Sequence, residues 1–192
     1  LYAYNPQKDR ASKIVSYLGN IIVNGHNDIS GRFSSNKTVE VQIPISNIKS
    51  EKNNFVEDLQ TLGPEKFAKK IKETPYTLIT DTTMRDAHQS LLATRMRTDD
   101  LVNIAEYYSE NLSNLFSLEC WGGATFDTSM RFLKEDPWDR LTRLNKRAPN
   151  LLKQMLFRGS NAVGYKNYPD NVVKHFIQQS AVAGIDVFRV FD

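Results

Sequence analysis

From residue 77 onward the chain alternates short apolar runs with segments that carry helix-start signals, and this alternation limits the folds open to it. Residues 76–79, 116–120, 151–157 and 185–191 read as strands. Between them, Thr98 is a candidate N-cap with Asp99 and Asp100 in the first turn, and Leu101, Ile104, Ala105 and Tyr108 form an apolar face. Asp127 is placed to cap a short helix. Pro137 opens a helix through residue 145, and Pro169 opens another through residue 183 that Gly184 closes. Strand and helix in turn, with short connections, predict parallel strands in a βα barrel or a doubly wound sheet. No Gly-rich dinucleotide fingerprint follows the first strand, which counts against the Rossmann arrangement.

Residues 1–75 are of another kind, polar and rich in Asn, Ser and Lys. A short helix is expected over 11–17. An apolar run at Ile21-Ile22-Val23 ends at the turn signal Asn24-Gly25, and residues 29–44 read as extended or loop. A further short helix starts near residue 62, with Pro64 in its first turn. This α+β segment has too few apolar residues for a core of its own and should dock on something else. The expected division is therefore 1–75, a linker-type segment, and 76–192, a βα domain.

Polar groups recur after the expected strands. They are Arg85, Asp86 and Gln89 after the first, Trp121-Gly122-Gly123 after the second, Arg158-Gly159-Ser160-Asn161 after the third and Asp192 after the fourth. In a barrel these ends share one face, where the chemistry lies. Asp86 offers a hard carboxylate oxygen for Mg, Mn or Zn, or else an ion pair with Arg85 or a helix cap. If residues 86–88 are extended, Asp86 and His88 share a face as a two-ligand pair, although His88 also suits a structural role. Arg158 presents a planar fork for a carboxylate, and Gln89 adds a donor, so a small anionic 2-oxo acid fits them. Glu119 can be buried beside an arginine, with Arg95, Arg97 and Arg189 available for structural pairs, and Trp138 belongs to the core. His26 and His175 have no ligand neighbours.

Composition excludes several classes. The net charge is +3, from 25 Lys and Arg against 22 Asp and Glu spread along the chain, so no basic stripe points to nucleic acid. Cys120 is the single cysteine, which rules out an internal disulfide framework and fits a reducing compartment. Neither a leader-like start nor a long apolar run argues for secretion or a membrane. Asn36-Lys37-Thr38 and Asn111-Leu112-Ser113 match the glycosylation acceptor only as chance matches of a short pattern.

Three motifs taken together carry a family resemblance. Asp81-Thr82-Thr83-Met84-Arg85-Asp86-Ala87-His88-Gln89-Ser90-Leu91-Leu92-Ala93-Thr94-Arg95, then Trp121-Gly122-Gly123-Ala124-Thr125-Phe126-Asp127, then Arg158-Gly159-Ser160-Asn161-Ala162-Val163-Gly164-Tyr165 resemble the carboxyltransferase domain of biotin-dependent carboxylases. The resemblance covers about residues 76–192. It implies the first four strands of a (β/α)8 TIM barrel, truncated by comparison with a whole barrel of about 250 residues. Oxaloacetate decarboxylase α subunits and transcarboxylase subunits share the motifs but begin close to the first strand. The preceding 75 residues, with Lys13-Ile14-Val15-Ser16-Tyr17-Leu18-Gly19-Asn20, resemble instead the linker and allosteric region of the multidomain members that carboxylate pyruvate.

The resemblance implies roles residue by residue. Asp86 matches a metal ligand, for Mn or Zn. Arg85 matches an arginine beside metal and substrate, Gln89 and Arg158 the pair that holds pyruvate, and Asp127 and Tyr165 the pocket that receives carboxybiotin. His88 matches no ligand. ATP and Mg are used by a separate biotin carboxylase domain, biotin rides on a carrier domain, and full-length members are commonly homotetramers of the cytoplasm, or of the mitochondrial matrix in eukaryotes. The family's other metal ligands, a carbamylated lysine and a His-x-His pair, and its proton-shuttling threonine come from strands beyond those present. The 192 residues alone are therefore expected to be inactive, as part of a longer chain. The other reading is a non-catalytic allosteric or assembly module, favoured for residues 1–75.

Overall fold

A computed structural model describes residues 10–24, 54–91 and 95–191. The chain divides into two compact units, Leu1–Ile45 and Ser46–Asp192. In the first, helix α1 spans Arg10–Asn24. It is longer than the helix expected over 11–17, because Ile21-Ile22-Val23 continues it instead of forming a separate run. Its side chains Ile14, Leu18 and Ile22 recur at a spacing of four and are exposed, Ile22 by 82%. The expected loop over 29–44, Gly25, His26 and the acceptor pattern at Asn36 lie outside the described residues, as do residues 92–94 and Asp192.

In the second unit, helix α2 spans Phe55–Glu73 and bends at Gly63, whose φ of 73° and ψ of 168° break the helical path. A side chain there would be strained by the positive φ, so glycine suits the kink. Pro64 then opens the second half, the first-turn position expected for it. Four parallel strands follow: β1 Thr80–Asp81, β2 Ser117–Gly122, β3 Leu152–Phe157 and β4 Val187–Val190, in the order β1-β2-β3-β4. The order never reverses, so no switch point of the doubly wound kind occurs among them.

The first strand begins four residues later than the pattern at 76–79 suggests and is only two residues long. Ile79 is 63% exposed, and its carbonyl accepts from Phe116 N–H at 2.8 Å ahead of the ladder proper. Neighbouring chain, and not local hydropathy, decides where so short a strand begins.

Helices α3 (Thr98–Asn111), α5 (Pro137–Arg147) and α6 (Asp170–Val182) connect the strands. The short α4 (Ala124–Thr128) follows β2 directly. Leu101 and Ala105 of α3, Leu141 and Leu144 of α5 and Val173, Phe176 and Ile177 of α6 pack in one core with Leu118, Cys120, Trp121, Met155, Phe157 and Phe188 of the strands. The opposite side of the strands carries Ser117, Glu119, Leu152, Gln154, Leu156, Val187 and Arg189 by alternation. A bulge after Glu119 makes Trp121 pair with Met155, so that Cys120 and Trp121 both reach the core.

Two expected caps take other roles. The α3 N-terminus is held by Asp100, whose Oδ2 accepts from Arg97 N–H at 3.2 Å. The Thr98 hydroxyl is buried, donates to Glu135 at 2.6 Å and accepts from Arg140 at 2.9 Å. Asp127 lies inside α4 and pairs with Arg131 at 3.2 Å, four residues on. By contrast, Asp136 caps α5 as its Oδ1 accepts from Trp138 N–H at 2.8 Å, with Pro137 opening the helix as expected.

Helix α2 meets the start of the strands. Phe55 and Phe67 pack with Leu152, Leu78, Phe116 and Val187, the residues at or just before the N-terminal ends of β1 to β4. The phenyl rings of Phe55 and Phe116 meet edge to face at 5.6 Å. Of the segment expected to dock, residues 55–73 pack on the strands, at the end of the sheet opposite the expected chemistry.

Candidate active site

After β1 the backbone makes a wide π-helical turn, Thr83–Leu91, in which Ala87 N–H reaches back to Thr82 O at 3.4 Å. Asp81 opens the turn by accepting from Thr83 N–H at 2.9 Å. Because residues 86–88 are helical, Asp86 and His88 do not share a face, and the pairing expected from an extended segment is overturned. The Asp86 side chain is 51% exposed, while His88 is fully buried. His88 Nδ1 accepts from Met96 N–H at 2.9 Å, and burial, reinforced by Arg140 and Arg95, pulls its pKa down to about 4. Its ring ties the turn to the chain leading into α3.

Arg85 is buried and holds two carboxylates. Its Nε and Nη2 donate to Glu119 Oε1 at 2.7 and 2.6 Å, and Nη1 donates to Asp86 Oδ1 at 2.9 Å. Glu119 also accepts from Gln154 Nε2 at 2.7 Å and from Arg189 Nε and Nη2 at 2.7 and 3.0 Å. Burial alone would raise the Glu119 pKa, but hydrogen bonds from Arg189, Gln154 and Arg85 outweigh it and bring it down to about 2. The network continues from Gln154 Oε1 to the Ser117 hydroxyl at 3.0 Å and from there to Thr80 at 2.8 Å. The pair expected for Glu119 is thus a hub with two arginines, and Gln154 is a member that sequence reasoning missed. A lone Gln inside the buried run 152–157 was the available signal.

The glycines after the bulge bring β2 against this cluster. A Cβ on Gly122 would lie 2.2 Å from Leu156 O, and the φ of Gly122 is +85°, so only glycine fits there. A Cβ on Gly123 would lie 3.4 Å from Gln89 Oε1 and 3.8 Å from Arg85 Nη1. Gln89, Arg85 and the start of α4 therefore converge on one spot. Arg158 stands at the end of β3, donates to Gly164 O at 3.3 Å and lies over the Tyr165 ring at 5.2 Å. Asp127 stays on α4, paired with Arg131.

A second buried network stands behind His88. Arg140 is fully buried and donates to Thr98, to Met96 O at 3.1 Å and to Glu135 at 2.9 Å. Neither Arg140 nor Glu135 was legible as functional, since their partners lie up to 44 residues away.

Among the described residues no group of three His, Cys, Asp or Glu side chains gathers to hold a metal. The half-exposed Asp86 carboxylate offers one hard oxygen of the kind that suits Mn or Zn. Among the described residues no helix is long and apolar enough to cross a membrane.

No protein-family model matches the chain. It is 49% identical over 193 aligned residues to pyruvate carboxylase of Staphylococcus aureus, covering all of this chain and 17% of that protein. It is 50% identical over 192 residues to the mitochondrial pyruvate carboxylase of Homo sapiens, covering all of this chain and 16% of that one. The chain thus spans about one sixth of the length of the curated relatives it matches. Among solved structures, the carboxyl transferase domain from Rhizobium etli pyruvate carboxylase with pyruvate and biocytin aligns with a TM-score of 0.73 at 55% identity, over 96% of this chain and 31% of that one. With its motifs on consecutive strand ends and identity at about half of its positions over its whole length, the chain is a homologue of the pyruvate carboxylases, in a stretch that aligns with the carboxyl transferase domain.

Proposed function

We propose that the chain contributes one part of the carboxyltransferase site of a biotin-dependent pyruvate carboxylase, the site at which pyruvate becomes oxaloacetate. The observation that carries this reading is the convergence of Arg85, Asp86 and Gln89 with Gly123 beyond the ends of β1 and β2, in a chain homologous throughout to enzymes of that name. The unreversed strand order and the common core of α3, α5 and α6 support a (β/α)8 barrel as the complete fold.

The roles follow from the chemistry. Arg158 pairs its planar guanidinium with the pyruvate carboxylate. Gln89 donates from its amide to the oxo oxygen. Arg85 adds positive charge beside the oxygen on which negative charge grows once the methyl proton leaves, a contribution that in such sites is on the order of a few kcal/mol. Asp86 holds a Mn or Zn ion, which when bound supplies further positive charge for the same oxygen. Asp127 and Tyr165 border the pocket for the carrier-domain biotin, and the contact of Tyr165 with Arg158 supports a pocket adjoining the pyruvate subsite. ATP and Mg act in a separate domain.

Residues 1–75 serve, on this reading, as a linker and allosteric segment in a homotetramer. The exposed Ile14, Leu18 and Ile22 of α1 favour an assembly role for it. Effector binding that survives deletion of residues 1–75 would refute the allosteric part.

The decisive experiment replaces Asp86 by Asn, and separately Arg158 by Gln, in the full-length enzyme. Oxaloacetate formation should be abolished while biotin-dependent ATP cleavage persists. Survival of both activities in both variants would overturn the assignment. The 192-residue chain assayed alone should form no oxaloacetate.

A further inference from the structure

Glu119 has no substrate role of its own, and it reaches the proposed site through Arg85, to which it is bonded at 2.7 and 2.6 Å. It takes one donor group from β3, one from β4 and one from the turn after β1, while standing itself on β2. Both its oxygens are used: Oε1 by Arg85 and Arg189, Oε2 by Gln154 and Arg189. Arg85 is left with a single nitrogen, Nη1, directed outward at 2.9 Å from Asp86 Oδ1. The Asp86 carboxylate is further fixed by the Ser90 hydroxyl at 3.2 Å on the same oxygen. Arg85 and Glu119 are the buried pair, and the half-exposed Arg189 and Asp86 bring the four charges to a balance of zero.

We infer that Glu119 is a positioning residue: by clamping Arg85 against β2 it aims Nη1 at Asp86 and so sets the orientation of the carboxylate that holds the metal. Arg189 shares the task from β4, since its fork closes the far side of the same carboxylate. The inference rests on the carboxyltransferase reading and deepens it. It also gives the buried Arg85 an indirect part besides its charge. Orienting groups behind a metal ligand commonly govern metal affinity and rate by roughly 10–100-fold.

The test uses the full-length enzyme. Glu119→Gln keeps the shape of the side chain and removes its charge. It should lower kcat for oxaloacetate formation by roughly 10–100-fold, leave biotin-dependent ATP cleavage at the parent rate, and reduce the Mn or Zn retained per protomer after dialysis. Because Glu119 acts through Arg85, the same change made in an Arg85→Gln background should cost nothing further in kcat. Multiplicative losses in that double variant, or unchanged metal retention in Glu119→Gln, would overturn the inference. Should Glu119→Gln fail to fold, the paired variant Glu119→Gln/Arg189→Gln removes one charge of each sign, and the same losses are expected of it. If Asp86→Asn and Arg158→Gln abolish carboxyl transfer but Glu119→Gln and the paired variant do not impair it, only the positioning role falls. If Asp86→Asn and Arg158→Gln leave transfer intact, the functional reading itself fails.

Discussion

The Trp121 indole lies parallel to the Phe176 ring, with centroids 5.9 Å apart and an angle of 1° between the planes. The contact joins the end of β2 to α6, and Trp138 and Phe126 close around the indole edge to face at 4.8 and 5.5 Å. The indole Nε1 donates to Pro137 O at 2.8 Å, so its one polar atom is satisfied in a fully buried site. Trp121→Ala should therefore cost about 3–5 kcal/mol of stability. Urea titration followed by circular dichroism checks this, and a midpoint equal to that of the parent would contradict the packing account.

At the next residue the limit is steric. Gly122→Ala would drive a methyl group into the Leu156 carbonyl at a backbone angle that suits only glycine. Strain of this kind costs about 1–3 kcal/mol before the clash is counted. The variant should show a lowered Tm and weakened protection of the Gly123 amide, which donates to Leu156 O at 3.0 Å. Hydrogen exchange at that amide is the measurement, and parent-like protection is the contrary outcome.

Acid should act through Glu119. Its folded pKa of about 2 lies below the ordinary value of 4.5, so its contribution is fully present above pH 4.5 and is lost as pH falls through 2. A depression of that size corresponds to about 3 kcal/mol. In stability measurements between pH 5 and pH 2, Glu119→Gln should show a shallower decline than the parent. Parallel curves would show that the ion-paired carboxylate does not control the transition.

Cys120 should be chemically silent. Burial pushes its thiol up to about 11, so almost no thiolate exists near neutral pH, and no solvent reaches the sulfur. A disulfide reagent at pH 8 should label it only after denaturant is added. Rapid labelling of the folded protein would contradict its place in the core.

Much of this arrangement could be read from residue order, and the failures share one cause. Strands β2 and β3, helix α5 and the closing Gly184 follow from local pattern, because apolar runs, Pro137 and glycine act within a few residues of themselves. Thr98 looks like a cap until Glu135 and Arg140 arrive from 37 and 42 residues away and take its hydroxyl. Asp86 and His88 look paired only while the segment is taken as extended, and the π-helical turn separates them. Glu119 was visible as a buried acid, but the convergence of Gln154 and Arg189 on it required the sheet register. Strand-end position and side-chain chemistry point Arg158 and Gln89 to a small anionic acid, but only motif resemblance narrows it to pyruvate and sets Arg85 beside it, since no local spacing distinguishes these residues from structural pairs.

Helix α2 carries a lesson for anyone rebuilding such proteins. Phe55 and Phe67 are contributed by chain that comes before the first strand, yet they seal the ends of β1 to β4. A chimera joined just ahead of Thr80 would leave Phe116 and Leu152 facing water and would invite aggregation. The transplantable module therefore includes residues 55–73, and a graft that keeps them carries its own floor into any new host.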